Sequence, residues 1–149
     1  MTTTIPRASA ILGAARTLAA KLLLAVPIDR AALSQAMTES AGGSDAEGAW
    51  QQRDSFEALE VALTLAIPEL VGRMDVGAAI STLEALAREL PTHTVRSEGQ
   101  IQFQQFSTPP ALARLAVHLA RLSSDDMLLE PSEGTGIFAS LAKGAVRDM

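Results

Sequence analysis

The sequence predicts a mainly α fold: a helical N-terminal region followed by one short strand–loop–helix unit near the C-terminal end. Three observations predict it. The hydrophobic fraction is 48% but aromatics make up only 3%, so the apolar content is largely Ala and Leu, which favour helix over sheet. Apolar residues recur at i, i+3, i+4 and i+7 through most of the chain, the signature of helices burying one stripe. A single short apolar run, Met127-Leu128-Leu129, is the one convincing strand candidate.

The first helix starts near Pro6, a residue suited to the first turn. Its stripe is Ala8, Ile11, Leu12, Ala15, Leu18, Ala19, Leu22, Leu23 and Val26, and Pro27 stops it. Asp29 caps a short second helix with Leu33 and Met37 on one face, ended by Gly42 and Gly43. Ser44 to Gly48 is polar and small, a loop or a helix start. A third helix covers about Trp50 to Ile67, with Phe56, Leu59, Leu63, Ala66 and Ile67 inward and Glu57 and Glu60 outward. Pro68 should kink or end it. Asp75 caps a fourth helix carrying Val76, Ile80, Leu83, Leu86 and Leu90, closed by Pro91.

From Thr92 to Ser107 the helical period fades and Gln, Thr and Ser dominate, as in an extended connection. Thr108 followed by Pro109 and Pro110 signals the next helix: a hydroxyl cap, then Pro in the first turn. Its stripe is Leu112, Leu115, Ala116, Leu119 and Leu122. Ser123 to Asp126 is a turn, Met127 to Leu129 the strand, Pro131 to Gly136 a glycine-bearing loop, and Ile137 to about Lys143 a last helix ended by Gly144. This divides the chain into a helical region over 1–91, an extended connection over 92–108 and a C-terminal unit over 109–149. No internal repeat is visible.

Composition excludes several classes. Without Cys there is no disulfide scaffold, thiolate metal site or Cys nucleophile. His93 and His118 lack ligand-like spacing, so no metal site is expected. The net charge of −5 argues against a bulk electrostatic hold on nucleic acid, and the acidic excess, concentrated between residues 51 and 100, reads as a solvated helix face. The apolar stretch from Leu18 to Val26 is broken by Lys21 and falls short of the ~20 residues a membrane span needs. Arg16 and Lys21 also interrupt any signal-peptide core after Arg7, so the N-terminus reads as a mature cytoplasmic helix with no membrane partner. His118 reads as a boundary or surface residue and Trp50 as a hydrophobic anchor.

The string that carries chemistry is Leu128-Leu129-Glu130-Pro131-Ser132-Glu133-Gly134-Thr135-Gly136. A short apolar strand leads into an acid, a tight loop and a helix, and ligands bind at the carboxyl edge of such strands. Gly134 and Gly136 let backbone approach a ligand closely and take positive φ, and the following helix offers unpaired N–H groups. A phosphate-binding P-loop would need Lys after the last glycine, where Ile137 stands. The dinucleotide pattern G-x-G-x-x-G/A is met formally by Gly134 to Ala139. Glu130 points instead to a ligand with an ammonium group, which S-adenosylmethionine has and a nicotinamide dinucleotide lacks.

The string Glu130 to Gly136 resembles the cofactor motif of class I S-adenosylmethionine-dependent methyltransferases, in the variant seen in DNA adenine amino methyltransferases. Gln105-Phe106-Ser107-Thr108-Pro109-Pro110 resembles the aromatic-x-Thr-Pro segment that precedes the cofactor strand by one helix in those enzymes. Ala36-Met37-Thr38-Glu39, Gly42 to Trp50, and Leu90-Pro91-Thr92-His93-Thr94 with Arg96-Ser97-Glu98 are similar to the N-terminal region of bacterial strawberry notch-like proteins, which are methyltransferase–helicase fusions. The similarity runs from about residue 30 to about residue 142.

The resemblance implies a Rossmann-like domain of which this chain holds only the first strand–loop–helix, with S-adenosylmethionine as cofactor and an adenine amino group in DNA as target. Glu130 would hold the methionine ammonium, and Gly134 and Gly136 would pass beneath the methionine and ribose. Thr108 would bind the methionine carboxylate, while Phe106 and Pro109 would wall that end. Pro131 and Ser132 belong to the same loop. Glu133 stands where the family usually has a small residue. The second acid, for the ribose hydroxyls, and the Asn/Asp-Pro-Pro-aromatic motif do not occur in this sequence, and neither does a helicase motif. No catalytic residue is therefore assigned. The expected function is the N-terminal part of a DNA methyltransferase, inactive alone, whose partners are DNA in the complete protein and the remainder of the polypeptide or further copies of itself. The alternative is a helical protein–protein interaction module without enzymatic activity.

Overall fold

The computed structural model describes residues 5–92, 107–131 and 134–143. Among these, six helices follow one another: α1 (Arg7–Leu23), α2 (Arg30–Ala41), α3 (Gln52–Val71), α4 (Val76–Glu89), α5 (Pro110–Ala120) and α6 (Ile137–Ala142). The chain forms two compact units. The first takes the described residues up to Ala66, with 90–92, and the second takes Ile67–Glu89 with the described residues from 107 onward. The division falls inside α3. The expected connection over 92–108 lies mostly outside the described residues.

In the first unit α1 packs on α2. The buried side of α1 is Ala10, Ile11, Ala14, Ala15, Leu18, Ala19 and Leu22. The expected stripe is therefore displaced: Ala8, Leu12, Leu23 and Val26 are exposed, while Ala10 and Ala14 lie inside. Small residues decide this. A Cβ at Gly13 would run into Ser40 Oγ, so the two helices approach more closely than leucines at that contact would permit. Leu33, Ala36 and Met37 are the buried face of α2, and Asp29 caps it, Oδ1 accepting from Ala32 N at 2.8 Å. Arg30 Nη2 donates to Thr92 O at 3.2 Å.

Helix ends follow local rules. α1 stops before Pro27 through a left-handed Ala25 (φ 52°), with Ala25 N donating to Leu22 O at 3.1 Å and Val26 N to Lys21 O at 2.9 Å. These are the two bonds of a Schellman motif, with Ala where Gly is usual. α2 ends at Gly42 (φ 74°), whose N–H donates to Thr38 O at 3.0 Å. Ser44 to Gly48 is one closed turn. Glu47 Oε2 accepts from Ser44 N and Ser44 Oγ, both at 2.8 Å, and Glu47 N donates back to Ser44 Oγ at 3.3 Å. This capping box ends at left-handed Gly48 (φ 74°). The two bonds from Ser44 hold the Glu47 carboxyl below its usual range. Trp50 is buried, as an anchor should be, and its indole N–H donates to Gly43 O at 3.1 Å.

α3 starts on Asp54. Its Oδ2 accepts from Gln51 N at 2.9 Å, and Oδ1 accepts from Arg7 Nε at 2.9 Å and Arg7 Nη2 at 2.7 Å. Arg7 Nη2 also donates to Glu57 Oε2 at 2.7 Å. Burial pushes the Asp54 carboxyl up, but the Arg7 and Gln51 hydrogen bonds and the charges of Arg7 and Arg53 outweigh it, leaving the group below its usual range. In the first unit Phe56, Ala58, Leu59, Ala62 and Ala66 are buried on α3, Leu63 is half-buried, Glu57 is exposed and Glu60 half-buried. Of the two effects expected of Pro68, a kink or an end, the end does not occur there. α3 runs one turn further to Val71, with Gly72 N donating to Pro68 O at 3.0 Å. A proline this close to a helix C-terminus removes one N–H donor and leaves few later bonds to lose.

The second unit is built on α4, α5 and α6, with α4 packing on α5 and α5 on α6. Asp75 caps α4 as expected, Oδ1 accepting from Gly77 N and Ala78 N, both at 3.0 Å. Its fully buried residues are Ala79 and Leu83, with Val76, Ile80 and Leu86 half-buried, and the helix ends at Glu89, one residue before Leu90. α5 departs most from expectation. Only Ala113 is buried on it, while Leu112, Leu115 and Leu119 are 58%, 36% and 67% exposed. Ala116 is exposed and Leu122 half-buried. Periodicity locates an apolar stripe but does not say which face meets the neighbour, and the small face of α5 is the one that does. His118 is exposed. The segment Met127–Leu129 does not form a strand among the described residues. Met127 makes an isolated bridge, and Met127 and Leu129 are 82% and 87% exposed. A strand is stable only within a ladder of several neighbours. α6 ends at Ala142, one residue short of expectation, and Gly144 lies outside the described residues. Among the described residues, no helix is long and apolar enough to cross a membrane.

Replacing Ala25 by Gly relieves a left-handed φ that costs an L-residue about 1–2 kcal/mol, less the extra entropy of Gly. A gain of about 0.5–1 kcal/mol is expected in urea unfolding. Asp54→Asn removes the charge that Arg7 pairs with, and a loss of about 1–3 kcal/mol at neutral pH is expected. Because the folded carboxyl sits below the ordinary value of 3.8, the wild-type advantage is complete above that value. It disappears as the pH falls through the lower folded value, whereas the Asn variant lacks this step. Leu83→Ala should cost about 2–5 kcal/mol, and Leu119→Gln no more than about 0.5 kcal/mol. Equal losses in the same denaturation series would mean that Leu119 is buried after all.

Candidate functional site

The two strings singled out in the sequence both belong to the second unit. The first leads into α5. Pro109 (φ −55°, ψ 132°) is the residue that precedes the helix, Pro110 opens it, and Ala113 N closes the first turn on Pro109 O at 3.1 Å. Thr108 was expected to cap this helix with its hydroxyl, but the capping position belongs to Pro109, and no side-chain capping bond is made there. The reason is register. A capping side chain accepts from the second or third N–H of the helix, and with Pro110 in the first position Thr108 sits one residue too early. It is half-buried beside exposed Pro109. Phe106, the aromatic member of the string, lies outside the described residues.

The second string begins beyond a tight turn. Asp126 Oδ2 accepts from Ser123 N at 2.7 Å and from Ser123 Oγ at 2.9 Å, the same serine–acid device that closes the turn at Ser44. These bonds hold the Asp126 carboxyl below its usual range. The chain then runs through Met127 to Glu130 without forming a helix or a strand. Glu130 is half-buried, and its Oε2 is shielded from water. Pro131 is exposed in a turn. Ser132, along with Glu133, lies outside the described residues.

Gly134 and Gly136 both take left-handed backbone, at φ 55° and φ 81°. This is the conformation expected of them, and residues with a Cβ adopt it only at a cost. A Cβ built on Gly134 would meet nothing within 4 Å, so the space above that turn is open. Gly136 is buried and precedes the first residue of α6, whose Ser140 N closes on Gly136 O at 2.9 Å. Since α5 packs on α6, the Thr-Pro segment and the glycine turn are carried by touching helices. α6 has only six residues, so its dipole adds little at this end.

This arrangement offers one half-buried carboxylate, a left-handed glycine turn beside open space and a half-buried hydroxyl on the neighbouring element. Among the described residues, no group of three His, Asp or Glu side chains is placed to hold a metal ion. Comparisons with family models, with curated proteins and with solved structures find no match to this chain. The site is therefore defined by its own residues.

Proposed function

We propose that this chain is the N-terminal part of an S-adenosylmethionine-dependent DNA methyltransferase of the methyltransferase–helicase type, and that it does not transfer methyl groups by itself. The observation that carries this reading is the glycine turn. Gly134 and Gly136 are both left-handed and follow a half-buried acid whose Oε2 is out of solvent. An acid followed by such a turn is the pattern that the resemblance links to S-adenosylmethionine, whose ammonium group a nicotinamide dinucleotide lacks, and the left-handed glycines support that reading.

On this reading Glu130 accepts hydrogen bonds from the methionine ammonium, and Thr108 donates its hydroxyl to the methionine carboxylate. Phe106 and Pro109 wall the same end. Gly134 and Gly136, in the loop with Pro131 and Ser132, let the backbone run beneath the methionine and ribose. The bound cofactor supplies an activated methyl group. A residue that positions the accepting amino group is not among those of this sequence, and DNA is a partner of the complete protein, where a duplex target would have to be flipped out.

The test is a titration followed by amide nuclear magnetic resonance, which detects binding even near the millimolar range. S-adenosylmethionine should shift the amides of Ser107, Thr108 and Glu130 and those at 132–137 saturably and weakly. Glu130→Gln should abolish those shifts, and a nicotinamide dinucleotide should leave them unmoved. Equal responses to both ligands, or no response at these positions, would sink the proposal.

One observation favours a second reading, a helical interaction module without enzymatic activity: the outward leucines of α5. Light scattering over a range of concentrations separates the two. A stable oligomer that is lost in Leu112→Glu/Leu119→Glu would support the module, and a monomer at every concentration would remove self-association from it.

A further inference from the structure

We draw no further inference here: the strongest candidate, the outward leucine face of α5 formed by Leu112, Leu115 and Leu119, is an unpartnered apolar surface, and nothing in the structure shows what covers it.

Discussion

The carboxylate of Asp54 is the constraint on which the helical first unit depends. It is almost wholly buried, and its oxygens accept the Gln51 N–H and two Arg7 donors. One side chain thus closes the first turn of α3 and ties that turn to the start of α1, across more than forty positions of sequence. A buried carboxylate is costly without partners. Here the partners are a backbone donor on Oδ2 and a guanidinium that brings two N–H groups to Oδ1 in charge-assisted hydrogen bonds. The same Arg7 reaches exposed Glu57 one helical turn along, so a surface ion pair of little value alone extends a pair that is partly shielded.

Around this tie the helices are stopped by backbone geometry more than by proline. Ala25, Gly42 and Gly48 all take left-handed conformations where a helical segment ends. The capping box of Ser44 and Glu47 starts a turn that Gly48 ends after one circuit, which brings Trp50 to a buried position with its N–H satisfied. Proline acts differently at each site. Pro27 lies beyond an end already made, Pro68 is absorbed into the last turn of α3, and Pro110 opens α5.

The candidate site was legible in part. The left-handed turn at Gly134 and Gly136 follows from residue type, since glycine alone takes that conformation freely. The start of α5 at Pro110 follows from proline's fixed φ and missing N–H. What misled was Thr108, because a hydroxyl before two prolines resembles a cap, and only the register of the helix shows that it is one residue too early. The nature of the ligand is a proposal that rests on a resemblance, which does not depend on helix periodicity.

The sequence by itself determined the mainly helical character, the caps at Asp29 and Asp75, the left-handed ends at glycine and the turn at Ser123 to Asp126. Each of these is set by contacts within a few residues, so a local reading suffices. Only the tertiary structure decided which apolar stripe faces inward. On α1 Ala10, Ala14 and Gly13 face the packing side and Leu12 does not, and on α5 Ala113 is buried while its leucines are exposed. It also decided that Arg7 pairs with Asp54 and that Met127 to Leu129 forms no strand. The reason is the same in each case. Helical periodicity fixes the angular spacing of side chains along one element, whereas burial, ion pairing and strand formation depend on what a second element brings to that face.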